Sequence, residues 1–270
     1  MIQNTHCPYC GVELIRAQND PRSRSVEHMI PNAVLTRPRS RNEGDFYACR
    51  KCNSAKSNID YVLAVVAKAQ SVDADLAART LTEAILRDGN TSPRFVQMMR
   101  TAEHHPDGVH MAIPIDGEDL YEYLCFLGKG QHFRSTGTVF DPKSHVIQAE
   151  FINKQVMASL EGDYTRSLRA NPFSDLARNP RTESVADGEC LIYSKGHEHL
   201  FLFHHYTGAI IRVPRRSKKT AIRARKLRDA LLKDFPKLYS WAKPNAAAPT
   251  TSPTADMTEA LDGPRPTTND

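Results

Sequence analysis

The chain has 270 residues, 40% of them hydrophobic, and carries 36 Lys and Arg against 31 Asp and Glu, a net charge of +5. That length holds one or two domains with a substantial core. No apolar run approaches the ~20 residues a membrane-spanning helix needs, which excludes a membrane protein of that kind.

In chain order, the first feature is Cys7-Pro8-Tyr9-Cys10, a C-x-x-C pair. Ahead of it, Met1-Ile2-Gln3-Asn4 lacks the charged and apolar regions of a secretory leader. The reading is therefore a soluble, cytoplasmic chain whose cysteines stay reduced. Next comes Val26-Glu27-His28-Met29-Ile30-Pro31, then a second pair, Cys49-Arg50-Lys51-Cys52, followed at once by Asn53-Ser54-Ala55-Lys56. Each C-x-x-C turn puts two thiolates on one small loop. Two such turns complete a tetrahedral sulfur shell with no open position, so Cys7, Cys10, Cys49 and Cys52 are read as a structural zinc site. The gap between the pairs leaves room for two strands and a loop, with a helix starting at the second pair. Cys125 and Cys190 stand apart in apolar surroundings and are read as core residues.

These residues resemble the HNH endonuclease family, in its form stapled by a four-cysteine zinc site. The resemblance runs through CPYCG, VEHMIP and ACRKCNSAK, about residues 5–60, three elements in the expected order. It implies a ββα-metal fold, with a hairpin carrying the acid-His pair and a helix carrying the last Asn. It also implies a divalent metal, usually magnesium, at a scissile phosphate in DNA or RNA.

The chemistry of the residue types agrees. Phosphodiester hydrolysis needs a base to activate water and a cation to offset charge building on the phosphate. His28 is the candidate base, since an ordinary imidazole titrates near ~6.5. Glu27 and Asn53 offer hard oxygen ligands that suit magnesium or manganese. Glu27 stands where the family more often has Asp, and could bind metal through a water or only orient the histidine. The family's central Asn is replaced. Asp45 is the preferred group to fix the imidazole, with Asn42 the alternative if the loop folds back. Asn53 also stands where a helix should begin, so capping competes with metal binding for its oxygen. Lys56 is assigned to phosphate contact or to a solvated face. Arg50 and Lys51 sit where helix-terminal N–H groups would favour an anion.

Further along, the first helix is expected to run to about Ala69. Asp73 then caps a helix through Leu76, Leu81, Ile85 and Leu86, closed by Asp88-Gly89-Asn90, and Pro93 starts a short third one. A helix is predicted over 118–127 and a strand over 146–152. Strands at 190–193, 199–204 and 209–213, with Gly208 separating the last two, form an antiparallel meander. His197, His199, His204 and His205 crowd it and are read as alternating on exposed strand faces, in preference to a second metal site. His104, His105 and His110 fall in a loop.

Charge is unevenly placed. Residues 212–243 carry 12 Lys and Arg against two Asp and Glu, whereas 61–211 carry 14 against 19. Arg215, Arg216, Lys218, Lys219 and Arg223 therefore form a cationic patch suited to nucleic-acid phosphates or to pairing with the acidic middle. From 244 onward the Pro-, Ala- and Thr-rich tail is expected to be disordered.

The fold class expected is α+β. Residues 1–70 form the HNH module, 71–109 a helical connector, 110–243 an α+β accessory domain ending in a basic helix, and 244–270 a tail. The function expected is metal-dependent endonuclease action on nucleic acid, double-stranded DNA first, with structural zinc and catalytic magnesium or manganese. The alternatives are a weak or inactive zinc-stabilised nucleic-acid-binding module, and the nuclease subunit of a multi-component defence or restriction system.

Overall fold

The computed structural model describes residues 1–71, 73–88, 94–106, 108–153, 180–204 and 206–235. The expected helix stop at Gly89-Asn90, the helix start at Pro93, His205 and the tail from 244 lie outside them. The fold is mixed helix and strand with antiparallel sheets. In chain order it comprises β1 (Arg24–Glu27), β2 (Phe46–Cys49), α1 (Arg50–Ala69), α2 (Ala74–Asp88), α3 (Arg94–Arg100), β3 (Glu103–His105), β4 (Gly108–His110), α4 (Gly117–Thr136), β5 (Gln148–Ile152), β6 (Arg181–Val185), β7 (Cys190–Lys195), β8 (Glu198–Phe203), β9 (Thr207–Arg212) and α5 (Lys218–Asp234). The described residues belong to one compact unit.

β1 and β2 pair antiparallel, with Arg24 opposite Cys49 and Glu27 opposite Phe46. α1 leaves β2 directly. Its cap is Cys49, whose sulfur accepts from the Cys52 N–H at 3.4 Å. Asn53 is thus inside the helix, and the capping role considered for it does not arise. Asp73 does cap α2, accepting from the Leu76 N–H at 3.0 Å.

α4 begins at Asp116, which accepts from the Asp119 N–H, and ends at Gly137 in the left-handed conformation with φ 71°. It runs nine residues past the expected end at Leu127. The reason is tertiary. Glycines usually weaken a helix, but here a Cβ on Gly130 would meet Met29 Sδ at 3.1 Å, and one on Gly128 would meet Ile211 Cγ2 at 3.0 Å. Close approach to the hairpin and to the sheet compensates for the missing side chains. Phe133 and Phe126 of α4 then meet Phe46 and Tyr9 edge-on, at 5.6 Å and 4.9 Å.

The meander forms as expected and is the centre of a five-stranded antiparallel sheet ordered β5-β9-β8-β7-β6. Period-2 alternation sorts its side chains. Cys190, Ile192, Phe201, Phe203, Ala209 and Ile211 join the main core, while Leu200, Ile210 and Ile152 form a second cluster. Gly208 does not separate strands. It lies within β9, where a Cβ would collide with the Phe201 carbonyl oxygen, so no larger residue fits the ladder.

Two expectations about histidines are corrected. His199 and His204 are buried, not exposed: His199 Nδ1 meets Ser194 Oγ at 3.0 Å, and His204 Nε2 donates to the Val34 carbonyl at 2.7 Å. His104, His105 and His110 sit in the β3–β4 hairpin, not in a loop.

Candidate metal centre and adjoining cleft

The two C-x-x-C pairs, 39 residues apart at Cys10 and Cys49, converge because β2 delivers the second pair beside the first. The first turn is closed by the Gly11 N–H donating to the Cys7 carbonyl at 2.8 Å, with Gly11 at φ 75°. All four sulfurs lie within 4.8 Å of one another, and Cys10 Sγ and Cys49 Sγ are 3.7 Å apart. Four sulfurs bound 2.3 Å from a tetrahedral zinc stand about 3.8 Å apart. The cluster can therefore hold a metal ion such as zinc, with no position left for substrate. The Cys7 thiol is pulled down to about 5, chiefly by a hydrogen bond from Cys52, which is itself pushed up by that bond, while burial pushes Cys49 up to about 11.

Beside the cluster, between the end of β1 and the outer face of α1, lies a cleft of about 260 Å³. Its lining includes Val26, His28, Pro31 and Asn32 from the hairpin, and Asn53, Ser57, Asp60 and Tyr61 from α1. The spacing of those helix residues puts them on one face. The structure thus brings Glu27, His28 and Asn53 to one cleft.

His28 Nε2 lies 3.1 Å from the main-chain oxygen of Ser40. A carbonyl only accepts, so Nε2 carries the proton and Nδ1 is the basic nitrogen. Ser40 is held in turn by Glu43, whose carboxylate accepts from the Ser40 N–H at 2.5 Å. The Asn53 amide nitrogen donates to Ser25 Oγ at 2.7 Å and to the Val26 carbonyl at 3.2 Å, so its oxygen is the atom that could meet a ligand.

Several assigned roles do not survive this geometry. Asp45 does not orient the imidazole. Its carboxylate accepts from the Met29 N–H at 2.8 Å, pairs with Arg39 and Arg134 at 3.6 Å and 3.4 Å, and lines a different cleft of about 430 Å³. Asn42 is exposed in the 3-10 turn Arg41–Glu43, and the imidazole's bond goes to Ser40. Glu27 is only 1% exposed; its Oε1 accepts from the Tyr9 hydroxyl at 3.0 Å and meets Lys56 Nζ at 3.1 Å. Lys56 is equally buried and faces inward, so it is not a phosphate contact. The start of α1 is not an open anion site. The Arg50 and Lys51 N–H groups donate to the Ser23 and Pro21 carbonyls, although both side chains are exposed.

Asp60 was not singled out from the sequence. It is 14% exposed, borders the cleft, and is held by Lys56 at 3.0 Å. Burial raises its carboxyl to about 6, against the opposing pull of Lys56. Its spacing from Asn53 and Ser57 was the available signal.

The loop between β1 and β2 is anchored by distant residues. Lys68 donates to the Leu35 carbonyl at 3.1 Å, His204 to that of Val34, and the Thr36 N–H and hydroxyl both donate to the Glu189 carboxylate. Arg215, Arg216, Lys218, Lys219 and Arg223 are exposed on and just before α5, which packs on β5 and α4. Among the described residues, no helix is long and apolar enough to cross a membrane. Compared with known proteins, the chain matches no family model, no curated protein and no solved structure.

Proposed function

We propose that this chain is a metal-dependent endonuclease of the HNH type, hydrolysing phosphodiester bonds in nucleic acid, double-stranded DNA first. The observation that carries the reading is the shared cleft. A histidine with one nitrogen tied to a carbonyl lines the same cleft as an asparagine whose amide is held by nitrogen, next in sequence to a sulfur cluster fit for zinc.

In this reading His28 Nδ1 takes the proton from a water whose oxygen bonds to phosphorus while the ester P–O bond breaks. The Asn53 oxygen suits magnesium or manganese, while Asp60, like Glu27, is held by Lys56. Such a cation supplies charge stabilisation at the phosphate. Glu27, committed to Lys56 and Tyr9, shapes the site rather than binding the cation directly. Arg50, Lys51 and the cationic residues at 215–223 neutralise backbone phosphates.

Plasmid nicking with magnesium or manganese tests this. His28→Ala should lower the rate at least ~10²-fold while zinc content and melting temperature stay unchanged. Cutting by His28→Ala at the wild-type rate would sink the assignment. One observation favours a second reading, a nucleic-acid-binding module without activity. Glu27 and Asp45 are both tied up in internal ion pairs. That reading expects DNA binding that survives magnesium chelation, with no nicking under any divalent metal.

A further inference from the structure

The sulfur cluster closes only one end of the seam between the β1–β2 hairpin and α1. Successive polar contacts run from there along the seam. Asn53 holds Ser25 and Val26. One turn later Lys56 Nζ reaches Glu27 Oε1 at 3.1 Å and the His28 main-chain oxygen at 3.3 Å, and holds Asp60 Oδ1 and Oδ2 at 3.0 Å and 3.2 Å. The Tyr9 hydroxyl, from the first C-x-x-C turn, closes on Glu27 from the other side.

Lys56 is 1% exposed, and a lysine is rarely buried that far unless paired. Here one ammonium, with three N–H groups, serves two carboxylates and a carbonyl. Apolar side chains could fill this seam with no desolvation cost. They could not hold a carbonyl at a set point. The imidazole itself is held at its far edge by Ser40, and that bond fixes the ring only if the main chain behind it is fixed too.

We infer that Lys56 is a positioning residue for His28: its buried ammonium ties the Glu27-His28 main chain to α1 at the end of the seam away from the sulfurs. The kinetic part of this inference rests on the nuclease reading; the geometric part does not.

The test uses the full chain with Lys56→Met, and with Lys56→Met/Asp60→Asn. The double variant removes one charge of each sign and so keeps the net charge of the buried group. Asp60→Asn alone is the control. Zinc per chain, kcat and KM for plasmid nicking, the NMR signal of the His28 Cε1–H group and amide exchange at His28 and Met29 are measured. The double variant is expected to keep its zinc and a KM within about twofold, while kcat falls ~10–100-fold below the control. The His28 signal should move and the Met29 amide should exchange faster. A folded double variant with the control's kcat and an unmoved His28 signal would overturn the inference. So would loss of zinc and fold in the double variant, since Lys56 would then support the module as a whole. If wild-type protein does not nick DNA, the nuclease reading fails, and the His28 signal and amide exchange alone decide the role of Lys56.

Discussion

The β1–β2 hairpin and the β7–β9 meander are both antiparallel and share one apolar core, yet the balance of forces that holds them differs. Each hairpin strand has only four residues, and an isolated two-stranded ribbon is at best marginally stable in water. Besides its buried Met29, Phe46 and Ala48, the Asn53 amide and the Lys56 ammonium tie it to α1, and a metal in the four-cysteine cluster would add to them. The meander instead buries apolar side chains on both faces, a force that is large but non-directional. A few directional groups fix where one imidazole stands. Apolar alternation fixes a surface and is indifferent to any single atom. The sheet anchors the loop behind that imidazole through His204 and Glu189.

The largest test of this contrast is Cys49→Ser. Metal binding and folding are coupled in such sites, so zinc should be lost and the melting temperature should fall by more than ~10 °C. Hydrogen exchange should show protection lost first in β1, β2 and α1 while β7–β9 keep theirs. Equal loss everywhere would merge the two regions into one cooperative unit. Next in size is Phe201→Ala, which empties a fully buried position. It should cost about 3–5 kcal/mol in urea unfolding and leave zinc content unchanged. Zinc loss in that variant would show that the hairpin cannot hold its shape without the sheet.

The smallest effect is a pH dependence at the seam. Burial raises the Asp60 carboxyl to about 6, so the folded chain binds this proton more tightly than the unfolded chain does. Stability contributed by the protonated form is therefore lost as pH rises from the unfolded value near ~3.9 to about 6. Asp60→Asn removes that slope. The unfolding free energy of the variant, relative to wild type, should improve by ~2 kcal/mol between about pH 4 and about pH 7. A flat difference would mean that Lys56 keeps Asp60 ionised throughout.

Much of the fold was legible where the signal is local. The Asp73 cap, the meander and the long first helix each follow from spacing within a few residues. α4 was read too short because Gly128 and Gly130 are explained only by what approaches them, Ile211 and Met29. That His28 and Asn53 share a cleft was legible from their place beside the cysteines. Ser40 was not, because it acts through its main-chain carbonyl, which every residue possesses. Asp45 and Lys56 pair with Arg134 and Glu27, and a charged side chain near a motif reads the same in sequence whether it faces solvent or turns inward to such a partner.

The sequence by itself determined the four-sulfur cluster, the strand-strand-helix order around it and the period-2 sheet, since ligand spacing and hydrophobic period are properties of neighbouring residues. Only the tertiary structure decided which charges are buried. Desolvation of a charge depends on everything packed around it, and Lys56 turns inward because Glu27, Asp60 and the His28 carbonyl meet there from two separate elements.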